Sequence, residues 1–475
     1  MFRTLVPLVT LLVLFPALCG GEQSVSLQKG IQQVIEGVDS KAQVGIVALS
    51  LRGEGSYHHN GDKRYVPGSV LKLFIAAAAL DVMGVDYRFE TRIVTDGVVK
   101  QGALAGNCYL IASGDPSLDF TGLAKLIRGL KAQGIRRIKG DFLIDVSVFD
   151  DVVQGPGWMW DEKPSFWCSP LGALNVEHNC LAFEIGPGSV VGCPCRVSVY
   201  PYFDSLELIN HSTTGNRCHT VEVRRLSDHQ FEVVGSMGLF EEKVRRLLPM
   251  RTPLSFSETL VKTLLRQHQI WIEGKIRVGK SPRCGVVLTS HLSKPLSELL
   301  KPLLKESDNL YADALFKKIG AIRYCRQGTW QTGKDAVYEF LEKKVGLDTS
   351  MMVIVDGSGT SRYNLLSPEQ VGLFLKWVHR DCAGGKWIKG ALALGGVDGT
   401  LKNRMKTADL KAQVIGKTGT MTGVSSICGF LGEEIAFVIF VNGHVKSGRE
   451  IKKHLEDEVC RVLMSSTFAR SRGSK

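Results

Sequence analysis

The pattern of apolar and polar positions predicts strands of one sheet at both ends of the chain. Near the start, residues 43–51 form a mostly apolar run that predicts a buried strand. Near the end, three strand-like runs at 413–416, 424–431 and 435–441 follow one another with short connections. Short connections join antiparallel neighbours, so we expect consecutive antiparallel strands in the same sheet as the first run.

Helical patterns are interspersed with these strands. An Ala- and Leu-rich run at 69–80 begins after an extended segment, and a second helical run covers 307–319. A capping-box pattern with Pro in the first turn predicts a third helix at 367–378. Two further helical stretches, 121–132 and 257–267, lie in the middle of the chain.

The order of these elements predicts a discontinuous organisation. With 475 residues, the chain exceeds the roughly 250–300 that one core supports, so we expect two or more domains. Both ends supply strands to one sheet, so residues 22–85 and 285–475 are predicted to form one domain. Residues 86–284, the inserted segment, are rich in short strands and turns. They predict one or two mainly β domains, the inner one at about 160–250.

Composition indicates an exported globular protein. The 44% of hydrophobic and 22% of charged residues are typical of folded proteins. Residues 1–20 contain an early Arg3, an apolar stretch and small residues at the end, which predicts a signal peptide. No other run approaches the roughly 18 apolar residues of a membrane span, so we expect the periplasm or cell envelope. Cys19 offers a lipid attachment point, but the bulky Leu18 before it disfavours lipidation.

The net charge of +12 favours an anionic partner such as a cell-wall polymer or a lipid surface. No aromatic-basic repeat or nucleic-acid module is evident, so nucleic acid is not expected as a partner. Ile451, Leu455, Val459 and Val462 share one helical face ahead of a basic tail at 470–475. That face packs on the sheet or makes a peripheral membrane contact, and packing is favoured.

Twelve cysteines raise the question of disulfides or a metal site. Eleven remain if the signal peptide is cleaved beyond Cys19, and in an exported chain they predict disulfides, with at least one thiol left over. Five cysteines and three histidines are concentrated in the inserted segment, at Cys168, Cys180, Cys193, Cys195, Cys218, His178, His211 and His219. The Cys193–Cys195 spacing lacks the C-x₂-C pattern of zinc sites, so disulfides or free thiols are favoured and no metal is predicted.

The first candidate for chemistry is Ser69–Lys72, with the sequence Ser-Val-Leu-Lys, at the start of a predicted helix. A spacing of three puts both side chains on one face, about 5–6 Å apart at Cβ. The helix dipole favours a developing anion, and apolar surroundings would lower the pKa of Lys72 so that it can deprotonate a serine. In isolation, the pattern is more often an N-cap serine with a solvated lysine.

The second candidate, Lys417–Thr420, has the sequence Lys-Thr-Gly-Thr and closes a predicted strand. Gly419 would let a substrate backbone lie close to the strand, while Lys417 and Thr418 hold an anionic end such as a peptide carboxylate. Alone, the motif is better explained by an exposed edge strand beside a glycine bulge.

The third candidate, Ser307–Asn309, has the sequence Ser-Asp-Asn and opens a predicted helix. The Ser307 hydroxyl can relay a proton to a leaving amine, and the Asn309 amide can hold a substrate amide. Ser307 is equally well explained as a helix cap. The three motifs together, in this order, predict a serine acyl-transfer site with lysine as the base.

With these motifs, the chain resembles the low-molecular-mass serine penicillin-binding proteins, in the D-alanyl-D-alanine carboxypeptidase/endopeptidase branch with long insertions. The 235 positions from Lys72 to Ser307 are the most specific sign, since serine β-lactamases place the second motif much closer to the first. Other stretches also resemble that branch: Gly114–Leu118, Gly140–Asp145, Gly157-Trp158, Asp356–Asn364 and Gly396–Leu401.

The resemblance implies an α/β (α+β) fold, with an antiparallel sheet flanked by helices and an all-helical half across the cleft. It implies that Ser69 attacks a terminal D-alanyl-D-alanine bond and forms an acyl-enzyme, with Lys72 as the base. Ser307 and Lys417 would pass the proton to the departing D-alanine, and Asn309 would orient the peptide.

The resemblance also implies an oxyanion hole made by the backbone N–H groups of Ser69 and Thr420. Thr418, Gly419 and Thr420 would bind substrate. The substrates would be peptidoglycan stem peptides or cross-bridges, β-lactams would be trapped at Ser69, and no cofactor is implied.

Other functions are less well supported. A Ser-His-Asp hydrolase would carry a G-x-S-x-G elbow and a zinc peptidase H-E-x-x-H, and the sequence contains neither. A β-lactamase needs fast deacylation, and no glutamate is assignable to that step. A catalytically silent wall-binding or scaffold protein of the same fold stays open, although every polar group of the three motifs is present.

Overall fold

The computed structural model describes residues 21–159, 161, 166–216 and 220–466. The predicted signal peptide, Cys218, His219 and the basic tail at 470–475 lie outside the described residues.

The elements follow in chain order. The first are α1 (Gly21–Asp39), β1 (Gln43–Ser50), β2 (Ser56–His59) and α2 (Lys72–Met83), with a 3₁₀ turn at Gly68–Leu71 directly before α2. The middle ones are β3 (Glu90–Thr95), β4 (Val98–Lys100), β5 (Ala103–Ala105), β6 (Cys108–Ile111), α3 (Phe120–Ala132), β7 (Arg137–Ile138), β8 (Phe142–Asp145), β9 (Cys180–Gly186), β10 (Arg196–Tyr200), β11 (Glu207–Asn210), β12 (Thr213–Gly215), β13 (Glu222–Arg225), β14 (Gln230–Val234), β15 (Ser236–Gly238), β16 (Val244–Pro249), α4 (Pro253–Gln267), β17 (Trp271–Ile272), β18 (Ile276–Val278) and β19 (Val286–Leu292). The last are α5 (Leu296–Leu304), α6 (Asn309–Tyr324), α7 (Trp330–Phe340), α8 (Pro368–Arg380), α9 (Gly385–Gly390), β20 (Ala393–Leu394), β21 (Val414–Met421), β22 (Val424–Leu431), β23 (Ile435–Asn442), α10 (Gly448–Glu450) and α11 (Asp457–Ser465).

A six-stranded antiparallel sheet joins the two ends of the chain, in the order β2-β1-β23-β22-β21-β20. All eight residues of β1 pair with β23, from Gln43 opposite Asn442 to Ser50 opposite Ile435. The predicted antiparallel strands and their common sheet are therefore confirmed. β22 and β23 are buried along their full length, and this burial explains the continuous apolar run at 435–441 in β23.

Helices cover both faces of this sheet. Successive residues of β23 alternate between two cores, so that Val438 packs on the front with α2 and α8 while Ile439 packs on the back with α1 and α11. Ser367 caps α8 with Gln370 in a reciprocal capping box, as predicted.

The C-terminal helical segment lies on the back of the sheet. Ile451, Leu455 and Val459 are fully buried there, and Val462 is half-buried near Gly30 of α1. The packed placement favoured by the sequence is therefore the observed one. No helix among the described residues has the length and apolar character to span a membrane.

The inserted segment is mainly β. Together with β19 it forms two mixed sheets, ordered β18-β8-β6-β3-β19 and β17-β7-β5-β4. It also supplies three smaller sheets, β10-β9-β16, β11-β14-β13 and β12-β15. β19 pairs with β3, which favours an end of the insertion after Leu292 and not at residue 284. The domain boundaries stay a prediction.

The expected disulfides are absent from the part of the chain that the structure describes, because none joins two of its ten cysteines. Several of these cysteines, including Cys108, Cys428 and Cys460, are buried among apolar side chains, where a thiol packs like a small hydrophobic group. Within the same residues, no group of three or more His, Cys, Asp or Glu side chains is placed to hold a metal ion.

Candidate active site

Ser69 and Lys72 meet at the junction of the 3₁₀ turn and α2. The sequence predicted one helix from Ser69, but the α-helix begins at Lys72 and Ser69 lies in the turn before it. In a 3₁₀ turn, residues three apart eclipse each other, so the turn aligns the two side chains even more closely than an α-helix does. Lys72 Nζ donates to Ser69 Oγ over 2.7 Å.

The Lys72 ammonium is fully buried and has three oxygen partners. Besides Ser69 Oγ, it donates to Asn309 Oδ1 over 2.6 Å and to the carbonyl of Ser358 over 2.7 Å. Burial lowers the pKa of Lys72 to about 8, although nearby carboxylates, first Asp313 and then Asp356, oppose the shift. A lysine in this state can lose its proton near neutral pH.

The second motif forms the start of α6. Asp308 is the N-cap, since its carboxylate accepts the N–H of Tyr311 over 3.1 Å. The interpretation of Ser307 as the cap is therefore wrong. Ser307 instead has a left-handed backbone with φ of 65°, outside the helix, and its hydroxyl lies 2.7 Å from Lys417 Nζ.

Lys417 of β21 is the second fully buried lysine of the site. Its Nζ donates to Ser307 Oγ and, over 2.8 Å, to the carbonyl of Thr418. Burial and then the nearby Lys72 hold the pKa of Lys417 well below the ordinary lysine value. The Thr418 hydroxyl donates to Thr400 Oγ1 over 2.8 Å.

Gly419 is required by the protein's own backbone. A Cβ at this position would lie 2.8 Å from the Pro67 carbonyl, 2.9 Å from Ser69 N and 2.3 Å from Ser426 Oγ. We predicted that Gly419 makes space for a substrate backbone. In the structure, the segment from Pro67 to Ser69 occupies that space. The same contact places Thr420, at the exposed end of the motif, beside Gly68. A Cβ added to Gly68 would lie 3.5 Å from Thr420 N.

All the predicted site residues therefore lie in one place. Lys72 connects the first motif to Asn309, and Lys417 connects the third motif to Ser307. Asn309 differs from expectation in one respect, because its amide nitrogen already donates to the carbonyl of Trp167 over 2.7 Å.

A further loop completes the site and was missed as a functional element. The Ser358 carbonyl accepts a hydrogen bond from Lys72. The buried carboxylates of Asp313 and Asp356 hold the backbone around this carbonyl. Asp313 accepts the N–H groups of Gly357 and Ser358, both over 2.9 Å, and Asp356 accepts those of Gly359 and Ser361.

The same loop is tied to the inserted segment, because the Trp158 indole N–H donates to Asp356 over 2.9 Å. The only sequence signal for this loop was the family resemblance of the stretch Asp356–Asn364, which carried no role.

The sequence profile of the D-Ala-D-Ala carboxypeptidase 3 (S13) family matches residues 27–463. The chain belongs to this family. The resemblance to the low-molecular-mass penicillin-binding proteins is confirmed, and with it the enzyme class and the fold class.

Two curated relatives of the S13 chain are similar over most of their length. The D-alanyl-D-alanine carboxypeptidase DacB of Haemophilus influenzae is 30% identical over 424 residues, covering 86% of this chain and 88% of the relative. The D-alanyl-D-alanine carboxypeptidase of Actinomadura sp. (strain R39) is 31% identical over 459 residues, covering 92% and 85%.

A solved structure extends the likeness to the fold of the S13 chain. Penicillin binding protein 4 (dacB) of H. influenzae superposes with a TM-score of 0.80 at 28% identity, covering 92% of this chain and 99% of that one. The same protein complexed with a β-lactam gives a TM-score of 0.75.

Proposed function

We propose that this chain is a serine D-alanyl-D-alanine carboxypeptidase/endopeptidase that acts on peptidoglycan stem peptides or cross-bridges through an acyl-enzyme on Ser69. The observation that carries the proposal is the 2.7 Å contact between Ser69 Oγ and a fully buried Lys72 whose pKa is lowered to about 8. Membership of the S13 family supplies the substrate class.

Lys72 has the hydrogen-bond partners that a general base needs. A neutral amine has two hydrogens and one lone pair. With its two hydrogens on Asn309 Oδ1 and the Ser358 carbonyl, its lone pair is directed at the Ser69 hydroxyl. At pH 7, a pKa of about 8 leaves about one Lys72 in ten neutral, so the reactive form is already populated.

Acylation then follows in two transfers. Ser69 Oγ gives its proton to Lys72 and attacks the carbonyl carbon of the D-alanyl-D-alanine bond, forming a tetrahedral oxyanion. As the C–N bond breaks, the Ser307 hydroxyl gives its proton to the departing D-alanine nitrogen and is reprotonated from Lys417, 2.7 Å away. Water then attacks the acyl carbon, the C–O bond to Ser69 breaks, and the shortened peptide leaves as a carboxylate. One hydrogen of that water ends on Ser69 Oγ and the other goes to solvent, while the proton that Lys72 took during acylation replaces the one that Lys417 gave.

The backbone around Gly419 supports the rest of the assignment. We propose the N–H groups of Ser69 and Thr420 as the oxyanion hole, where each donor is typically worth about 10²–10³ in rate. Thr418, whose hydroxyl already contacts Thr400, and the exposed Thr420 are proposed to hold the substrate's terminal carboxylate with Lys417.

β-Lactams are proposed to acylate Ser69 and inhibit the enzyme. Penicillin binding protein 4 of H. influenzae, which is 27% identical in the complex with a β-lactam, binds such a compound, and this supports the inference. We further propose that residues 1–20 direct export to the periplasm or cell envelope.

A fluorescent penicillin tests the proposal directly. The wild type should be labelled and carry one adduct by intact mass, while Ser69→Ala should carry none. Defined muropeptides should lose one D-alanine or be cleaved at cross-bridges, as weighed by mass spectrometry. An unlabelled wild type that leaves every muropeptide intact would favour the silent scaffold, and release of the penicilloyl group within seconds would favour a β-lactamase.

A further inference from the structure

A strained turn of the inserted segment reaches the second motif. Glu177, His178 and Asn179 are three consecutive residues with left-handed backbones, with φ of 51°, 56° and 54°. Left-handed conformations are costly for residues other than glycine, because the Cβ approaches the following carbonyl oxygen. A run of three persists only where surrounding contacts fix it.

Those contacts hold the two flanking residues of the turn. The Glu177 carboxylate accepts the N–H of Phe120 over 2.8 Å. The fully buried Asn179 donates its amide to the Pro170 carbonyl over 2.9 Å and to Asn175 Oδ1 over 2.8 Å. With both neighbours fixed, the middle residue, His178, is presented to α6.

His178 contacts Asp308, the central residue of the Ser307–Asn309 motif. Its Nε2 lies 3.0 Å from Asp308 Oδ2, and its ring packs 5.8 Å from the ring of Tyr311. The other carboxylate oxygen, Oδ1, caps α6 through the Tyr311 N–H. Asp308 is therefore held on one side by its own helix and on the other by the inserted segment.

A second contact reaches the same motif independently. The Trp167 carbonyl of the inserted segment accepts the Asn309 amide over 2.7 Å, while Asn309 Oδ1 accepts from Lys72. The insertion thus touches two of the three residues of the motif. The third, Ser307, is itself in a left-handed conformation that needs its neighbours to be held in place.

We propose that His178 is a positioning residue for acylation, which holds Asp308 and thereby fixes Ser307 and Asn309 where Lys417 and Lys72 use them. The inference rests on the proposed function. It assigns the inserted segment a part in the reaction although that segment supplies none of the three motifs.

The contact is charge-assisted and therefore depends on pH. The charged groups facing His178 are Asp308 from α6, Glu177 from its own turn and Arg245 from β16. Burial lowers the pKa of His178, but Asp308 and Glu177 outweigh burial and Arg245, and the net shift is upward. The imidazolium form, and with it the strong contact, is present at acid pH and is lost as pH rises through the raised pKa.

The test compares acylation rates of the wild type and His178→Asn with a fluorescent penicillin between pH 5.5 and 8.5. Asparagine tolerates the left-handed backbone but is too short to replace imidazole, so the variant removes the contact while keeping the turn. Taking the ratio of the two rates cancels the titration of Lys72, which both proteins share. We expect acylation to slow about tenfold at pH 6 and by clearly less at pH 8.5.

His211→Asn is the matched control. His211 lies in the inserted segment as His178 does. Its Nδ1 is 3.0 Å from Glu232 Oε1, the same distance as in the His178–Asp308 contact. The His211→Asn variant should be acylated by the penicillin at the wild-type rate. A wild-type to His178→Asn ratio within twofold at every pH would overturn the proposal, and so would an equal loss in the control.

A second measurement works even if His178→Asn folds poorly. The NMR titration of His178 should have a midpoint above 6.5 in the wild type and a lower one in Asp308→Asn. An unchanged midpoint would overturn the proposal. Failure of the proposed function has a different signature, namely a wild type that is not labelled at Ser69 while its His178 titration still responds to Asp308→Asn.

Discussion

Buried cations lie on both faces of the six-stranded sheet, and their partners differ. On the front, the hydrogen bonds of Lys72 and Lys417 within the described residues all go to neutral oxygens of hydroxyl, amide and carbonyl groups. On the back, Arg404 forms ion pairs with two acids, at 2.8 Å with Glu456 and closer still with Asp457.

The difference separates chemistry from structural support. Burial lowers the pKa of Lys72 to about 8 and that of Lys417 well below the ordinary value. Burial also disfavours the charge of Arg404, but Glu456 and Asp457 outweigh it and raise the Arg404 pKa. A buried lysine with neutral partners can give up its proton, whereas the Arg404 guanidinium stays charged in any case, and its two acids balance that buried charge.

Replacing the front cation should have the largest effect on chemistry. Lys72→Met removes the proposed base and should slow acylation by penicillin about 10²–10⁴-fold, the usual contribution of a general base. Its unfolding free energy should change little, because removing the desolvation cost of the buried charge offsets the hydrogen bonds left unmade at Asn309 and Ser358. Stopped-flow labelling and urea denaturation measure the two quantities. A loss of stability as large as that of the back-face variant would remove the distinction between the two faces.

Replacing the back cation should have the opposite outcome. Arg404→Met leaves Glu456 and Asp457 buried without a counter-charge, and should cost about 3–5 kcal/mol of unfolding free energy. Acylation per folded molecule should be retained. Arg52→Met is the control, because it breaks an exposed pair with Glu434 and should cost less than about 1 kcal/mol.

Geometry on the front face is the next point to test. Gly419→Ala places a Cβ 2.9 Å from Ser69 N and must push the nucleophile away from β21. We expect a loss of about 10² in the acylation rate, typical of a displacement near 1 Å. Gly37→Ala on α1, where a Cβ meets nothing within 4 Å, should leave the rate unchanged. Equal rates for both variants would show that the strand does not set the position of Ser69.

The pH dependence should be the smallest of these effects. If Lys72 is the base, only its neutral form accepts the serine proton, so the wild-type acylation rate should rise with pH and level off near pH 8. The rise should be somewhat less than tenfold per pH unit, because the His178–Asp308 contact weakens over the same range. Arg404→Met should have the same midpoint, because the back-face charge does not take part in acylation. A flat rate between pH 6 and 8 would contradict a titrating base at Lys72.

Local patterns predicted much of the fold. The apolar runs of β1, β22 and β23 and the capping box of α8 follow from hydrophobic sequence and local hydrogen bonding. The helix cap at the second motif was not predictable in the same way, because Ser307 and Asp308 are both good cap residues. Asp308 is the cap because its backbone is extended, as an N-cap requires, whereas the backbone of Ser307 is left-handed.

The expectation of disulfides does not hold among the ten described cysteines, for a related reason. Their number and the predicted export favoured disulfides, but a bond requires two sulfur atoms at a set distance and orientation, which spacing along the chain does not give. The turn at His178 gave no periodic signal either, since its contact with Asp308 joins residues 130 positions apart.

The sequence by itself determined which groups are the candidates for the chemistry, because a serine three residues before a lysine, and a Lys-Thr-Gly at a strand end, are local patterns. Only the tertiary structure decided what surrounds those groups. Two of the three partners of Lys72 come from positions 237 and 286 residues away, and Gly419 makes room for the chain's own backbone. Proton affinity in a buried site depends on the atoms within a few ångströms of it, and only the folded chain brings those atoms together.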